Sequence, residues 1–535
     1  MDSLGNVSSQ VDAALRRLEG DKVAARIWRG DHTVWKPDPT ELADRLGWLT
    51  APVEMRRRVG QLELLVREVR DSSLRHVVLL GMGGSVFGAR AIAQAIGPAP
   101  GSPSLLVLDS TLPPTVRRIT DAIDPSRTLF IAASKSGDTL ETASLLKHFW
   151  ASVESTSSGQ AAGGHFIAIT DEGTPLAEQA REKRFRYVFL NPSDVGGRYS
   201  ILTYFGLVPA ALAGADVRAV LDGAIRMAEA CGPGVAAASN PGAILGAAIA
   251  TLAQQGRDKL TVLASPDAVP FIPIIEQLLA EGLGKDGKGI VPIIGEPLLD
   301  PSQYGGDRAF VHLKGTAAAQ DVDALAERLR SSGHPVLTLK CDLPRDLGAE
   351  FYRWEFASAI AGTVLGVQPF DQPDVESAKS RTKALLKAYT ETGRLPTVPA
   401  GSLPTLLASA RPGDYLALLA CLPESPACDQ AMASLRAAVA RKLRIATTAE
   451  YGPRYLHSTG QLHKGGPNKG LHLVLTGGWG EDIPIPGEPY GFRVLAEAQA
   501  RGDAQALQER GHRVVSLDLG GDPVEGIRRL AQEMA

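Results

Sequence analysis

Between Ser134 and Thr142 the sequence SKSGDTLET carries four hydroxyl side chains, Ser134, Ser136, Thr139 and Thr142, and one cation, Lys135. Hydroxyls that share a turn can converge on a single anion, and they donate hydrogen bonds without adding charge. One of them would suffice as a helix cap, and four exceed that need. The implied chemistry is a grip on a phosphate monoester that leaves the rest of the ligand free. A second turn, GMGGSVFG from Gly81 to Gly88, places Gly83, Gly84 and Ser85 directly after an apolar run. Glycines there let a backbone approach a ligand closely, and the helix that follows offers free N–H groups to the same kind of anion.

Two nucleotide readings of glycine-rich stretches fail on spacing. A dinucleotide fingerprint starting at Gly81 needs its third glycine where Val86 stands, although Asp109 ends the next apolar run, where a ribose ligand would fall. GLGKDGKG at 282–289 departs from a P-loop because Gly289 occupies the Ser/Thr position. It also follows the helical run IPIIEQLLAE instead of a strand.

These turns need strands and helices to hold them. Valine-, leucine- and isoleucine-rich runs recur at 76–80, 104–108, 128–133 and 165–170, each followed by a longer helical pattern. That alternation predicts a doubly wound α/β architecture, a parallel sheet with helices on both faces. A second set of runs lies at 259–264, 309–313 and 335–340. A third, at 414–420, 472–476 and 514–519, follows the linker TETGRLPTVPAGSLP at 390–404. The expected division is 1–215 with an N-terminal helical segment, 216–395, and a C-terminal α/β domain at 396–535.

Composition narrows the class further. A chain of 535 residues with 44% hydrophobic and 21% charged residues is an ordinary globular composition, long enough for three domains. A net charge of -3 offers nothing to nucleic acid or an anionic membrane. The opening MDSLGNVSSQVDAALRR lacks a signal-peptide core, and the apolar run Phe356–Val367 is too short to span a bilayer, which takes about 20 residues. The four cysteines, Cys231, Cys341, Cys421 and Cys428, form no CxxC pair, so neither a metal site nor a disulfide framework is expected and a cytoplasmic setting is.

GMGGSVFGAR followed by ASKSGDTLET resembles the sugar-isomerase (SIS) domain, a doubly wound sheet that binds phosphosugars. DVGGRYS at 194–200, AEGLGKDGKG at 280–289 and FDQPDVESAK at 370–379 narrow the resemblance to the glucose-6-phosphate isomerase family. The likeness is strongest to the isomerase portion of bacterial transaldolase–isomerase fusions. The resemblance implies two SIS domains plus the third unit, and an aldose–ketose isomerase of glycolysis and gluconeogenesis with no cofactor and a hexose phosphate as its only required ligand. Dual action on mannose 6-phosphate, or a non-catalytic phosphosugar-binding regulator, are the alternatives.

Residue by residue, the resemblance makes Glu281 the base that carries a proton between adjacent carbons. Arg198 becomes the cation beside the enediolate, with Gly197 giving the sugar room. Gln372 becomes a phosphate contact and Lys379 a helper in ring opening. A spacing of seven residues would put Gln372 and Lys379 on one helical face. Asp138 stands where many members carry threonine, and it is expected to turn away from the phosphate. Ordinary members place a ring-opening histidine where Arg308 stands here. LHSTGQ at 456–461 offers His457 in its place, with His463 as runner-up. The working unit is then a homodimer, or a monomer whose C-terminal domain completes the site.

Overall fold

The structure is a computed structural model that describes residue 4 and residues 7–156, 159–396 and 401–534. Residues 397–400 of the linker read at 390–404 lie outside the described residues.

Three parallel sheets carry the fold. The first contains β1 (His76–Gly81), β2 (Ser104–Leu108), β3 (Thr128–Ala133), β4 (Phe166–Thr170) and β5 (Tyr187–Leu190) in the order β2-β1-β3-β4-β5. The second orders β6 (Lys259–Ala264), β7 (Val291–Ile293), β8 (Arg308–Lys314) and β9 (Val336–Lys340) as β7-β6-β8-β9. The third orders β10 (Tyr415–Cys421), β11 (Ala446–Tyr451), β12 (Gly470–Thr476) and β13 (Arg513–Asp518) as β11-β10-β12-β13. The continuous apolar runs reflect burial on two sides. Val77, Leu79, Leu129 and Ile131 face one core, while Val78, Leu80, Phe130 and Ala132 face another.

Six helices matter for the site: α1 (Gly84–Ile96), α2 (Leu140–Thr156), α3 (Ile272–Leu283), α4 (Val375–Thr392), α5 (Gly460–Gly465) and α6 (Phe492–Glu509). Helix α6 carries two apolar stripes at helical spacing. Phe492, Leu495 and Ala498 enter the core of the first sheet beside Leu385 and Leu386 of α4. Ala496, Ala500, Ala504 and Leu507 enter that of the third sheet beside Tyr415, Ala417 and Val474. A buried phenylalanine is worth ~3–5 kcal/mol on truncation, so this stripe is a strong bond between the C-terminal segment and the first sheet.

The second and third sheets are locked by buried charge. Arg308 pairs with Glu296, whose Oε1 accepts from the Thr447 N–H at 3.0 Å. Arg436 donates to the carbonyls of Gly295 and Ile294, both at 2.8 Å. Arg308 is therefore a structural residue, and its burial pushes its pKa down to about 9.

Candidate active site

Glu281 lies in the last turn of α3, whose apolar stripe of Ile274, Ile275, Leu278 and Leu279 is buried. Gln277, one turn earlier, shares its face. Arg198 comes from the short 3-10 turn Gly197–Tyr199, made by DVGGRYS. Its Nη2 meets Glu281 Oε1 at 2.9 Å and the Asp371 carbonyl at 3.1 Å, its Nη1 donates to the Pro369 carbonyl at 2.6 Å, and its Nε is buried without a partner. A buried ion pair needs such satisfaction to be tolerable. Gln277 Nε2 donates both to Glu281 Oε2 at 2.7 Å and to the main-chain carbonyl of His457 at 3.0 Å. One amide thus ties the carboxylate to the segment just before α5.

His457 enters this cluster from the third sheet's connections. Its Nε2 lies 2.8 Å from Glu141 Oε1 in the first turn of α2. That same oxygen accepts from Gln499 of α6 at 2.6 Å. Burial opposes ionisation of Glu141, but the charge of His457 and the two hydrogen bonds outweigh it and hold the carboxyl below its usual range. Glu141 escaped the sequence reading, although it stands directly before Thr142 in the hydroxyl-rich stretch. His463 is placed differently. It is buried, with Nδ1 at 3.1 Å from the Tyr415 hydroxyl and Nε2 at 3.0 Å from Glu450, so both ring nitrogens are occupied.

The glycine-rich turn after β1 and the hydroxyl-rich turn after β3 emerge side by side, because the two strands are neighbours and Gly81 pairs with Ala133. Gly83 and Gly84 are small for a reason the sequence did not reveal. A Cβ at Gly83, where φ is +55°, would stand 2.5 Å from the His457 carbonyl oxygen, and one at Gly84 would stand 2.0 Å from that of Gly197. The chain itself makes the close approach. Gly197 does have open space, with nothing within 4 Å of a Cβ placed there.

Ser134 Oγ and Thr139 Oγ1 are 2.8 Å apart, and Ser134 also accepts from the Gly137 N–H at 3.0 Å. Ser85 sits half-buried at the start of α1. Thr142 Oγ1 is buried without a hydrogen-bond partner. An orphaned buried hydroxyl among other hydroxyls is a donor that a ligand's acceptor would satisfy. Two residues are already engaged elsewhere: Lys135 binds Asp171 and the Ser193 carbonyl, and Ser136 donates to Asp138. Replacing Thr142 with valine is expected to raise KM about tenfold or more, the loss of a hydrogen bond to a charged group. Steady-state kinetics beside a thermal melt would check it, with the melt staying near wild type.

The pairing of Gln372 with Lys379 needs correction. Helix α4 begins at Val375, after Gln372, so the seven residues do not form two turns of one helix. Both side chains are exposed, Lys379 is paired with Glu376 at 2.7 Å, and neither bonds to any member of the Arg198–Glu281 cluster. Asp374 clamps α5: it accepts from Gln461 Nε2 at 2.6 Å and donates its N–H to Gln461 Oε1 at 3.0 Å. The buried ammonium of the cluster is Lys285, which bonds the Asp371 carbonyl (2.7 Å) that Arg198 also uses. Burial, then the nearby Arg198 charge, lowers its pKa to about 8. Among the described residues no group of histidine, cysteine, aspartate and glutamate is arranged to hold a metal ion, and no helix is long and apolar enough to cross a membrane.

A family profile described as phosphoglucose isomerase matches residues 67–239. The chain is 29% identical over 422 residues to a glucose-6-phosphate isomerase of Rubrobacter xylanophilus, a match covering 70% of this chain and 95% of that protein. It is 30% identical over 392 residues to one from Symbiobacterium thermophilum, covering 64% and 86% respectively. Among solved structures, a hypothetical protein from Thermus thermophilus superposes with a TM-score of 0.58 at 26% identity, covering 70% of this chain and 97% of that one. A glucose-6-phosphate isomerase from Chlamydia trachomatis does so with a TM-score of 0.56 at 20% identity, covering 69% and 78%, a likeness of fold alone.

Proposed function

From the premise that the chain belongs to the glucose-6-phosphate isomerase family, we propose how its own residues perform the reaction. The enzyme interconverts glucose 6-phosphate and fructose 6-phosphate. The observation that carries the residue assignment is the unbroken run of contacts Arg198–Glu281–Gln277–His457.

Ser134, Thr139 and Thr142, with Ser85 and the N–H groups at the start of α1, hold the phosphate. Lys135 and Ser136 shape the turn through their own partners, and Gly83, Gly84 and Gly197 let the segments close around the sugar. His457, oriented by Glu141, moves the proton of the C1 hydroxyl to the ring oxygen and opens the ring. Glu281 then takes the proton from C2 and returns it to C1. Between those events the cis-enediolate is negative beside the fixed guanidinium of Arg198, a placement worth ~3 kcal/mol for one good donor. Lys285, held by the carbonyl and the carboxylate of Asp371, is the ammonium beside this cluster and takes the place first considered for Lys379.

The third sheet and its connections supply His457 within one chain, so the working unit in this reading is a monomer. About three tenths of the chain lies outside the match to its relative from Rubrobacter xylanophilus. The motifs at 81–90, 133–142, 194–200, 280–289 and 370–379 support the likeness to the isomerase portion of transaldolase–isomerase fusions. The four unpaired, buried cysteines suit a reducing cytoplasm.

Replacing His457 with alanine is expected to lower turnover of the cyclic sugar about 100-fold, the lower range for a general acid–base group. Glu141→Gln, which keeps the volume but removes the charge that orients the imidazole, should reproduce part of that loss. A coupled assay with fructose 6-phosphate measures both. Unchanged turnover in the His457 variant would refute the assignment.

A further inference from the structure

One cavity lies away from Glu281. It has a volume of about 520 Å³ and opens at the carboxyl ends of β12 and β13, against helix α6. That size is in the range of small-molecule sites, and the carboxyl ends of parallel strands are where open α/β sheets bind ligands. None of the motifs used for the isomerase reaction lies here.

The floor and walls have a definite chemistry. Thr476 and Ser516 line the floor from two paired strands, and Arg493 and Glu497 line the wall from α6. The loops after both strands are glycine-rich, TGGWG and DLGGD, and four of their glycines, Gly477, Gly478, Gly480 and Gly520, have positive φ. The Gly478 N–H bonds the Gly520 carbonyl at 2.8 Å and holds the two loops together. The main-chain N–H groups of Trp479, Gly480 and Gly521 have no hydrogen-bond partner among the described residues. Consecutive free N–H groups in such turns form a concavity for an anion.

Arg493 supplies the matching charge. Its main-chain N–H donates to Asp482 at 2.7 Å, but its guanidinium has no acidic partner among the described residues and meets only the Gly480 carbonyl, at 3.5 Å. By contrast, Arg501 is committed to Glu497 and to the Pro396 carbonyl. Asp518 uses one oxygen for the Gly520 N–H, at 2.9 Å, and its other oxygen is an acceptor. A bare, highly charged anion would be repelled by Glu497 and Asp518, whereas hydroxyl groups would donate to them.

We propose that this cavity is a second ligand site, separate from the isomerase centre, for a small phosphate ester that also carries hydroxyl groups. The phosphate sits on the glycine loops and Arg493, and the hydroxyls meet Asp518 and Glu497. A nucleoside monophosphate and a pentose phosphate share that chemistry, and the test separates them.

The full-length protein would be labelled with 5-fluorotryptophan, and the Trp479 resonance assigned by its loss in Trp479→Phe. Titration with adenosine monophosphate, and separately with ribose 5-phosphate, should move that resonance saturably for at least one of the two. The ligand that does so identifies the source of the ester. Arg493→Ala should weaken the response about tenfold or more, as loss of a charged hydrogen bond does, with isomerase turnover near wild type as evidence of an intact fold. Ser134→Ala/Thr139→Val, which disables the other phosphate site, should leave the resonance shift in place. The proposal is overturned if neither ligand moves the resonance up to about 10 mM, the weak end of specific binding. It is equally overturned if the shift survives Arg493→Ala unchanged or disappears in the Ser134/Thr139 variant.

Discussion

Glu281→Gln is expected to reduce kcat by about 100- to 10,000-fold, the span that a positioned general acid–base group contributes. KM should change little, because the hydroxyl cradle grips the far end of the sugar. The substitution nearly conserves shape, and its cost in stability follows from the hydrogen bonds. Arg198 Nη2 can still donate to an amide oxygen where it now meets Oε1. Gln277 Nε2, however, donates to both Glu281 Oε2 and the His457 carbonyl, and a new amide N–H would oppose it. Either Gln277 turns, releasing the His457 main chain, or one donor is left unpaired at a cost of about 1–3 kcal/mol. A coupled assay beside urea unfolding separates the chemical loss from this smaller structural one. A variant that kept wild-type kcat would remove Glu281 as the base.

Arg198→Met is expected to be costly in two ways. Activity should fall about 100- to 1,000-fold, the effect of removing one preorganised donor from a developing oxyanion. Stability should also fall, by about 3–5 kcal/mol, because the change leaves a buried carboxylate without its counter-ion. The carbonyls of Pro369 and Asp371 lose a donor as well. The double variant Arg198→Met/Glu281→Gln should be more stable than Arg198→Met alone, since it removes the stranded charge. Denaturant midpoints of the three variants decide the point. If the double variant is the least stable, the pair does not behave as a compensated buried ion pair.

The parallel strands were legible where they were apolar on both faces. β1, β2, β3 and β6 fall within a residue of the runs read from the sequence. Three strands were not seen, each for its own reason. β5 follows the charged stretch EKRFR and lies at a sheet edge; β7 is three residues long around Pro292; β11, ATTAEY, contains little hydrophobic surface. The last is polar because Glu450 serves His463 and Thr459 from inside the strand.

The site was legible to the extent that its residues occupy motifs. Arg198 and Glu281 were placed together by likeness and are together in space. Gln277 could have been found from the sequence, one helical turn before Glu281 on the same face. Glu141 and Lys285 could not be weighed so easily, because what distinguishes them is burial against distant segments: Gln499 and His457 for the one, Asp371 for the other. The Gln372–Lys379 expectation failed on a local matter, the point at which α4 begins.

The tie between Gln277 and the His457 carbonyl joins residues 180 positions apart in a single chain. Where subunits lend one another a histidine, two differently damaged copies can rescue each other when mixed. In the monomer proposed above, a copy lacking Glu281 and a copy lacking His457 would have nothing to trade when mixed.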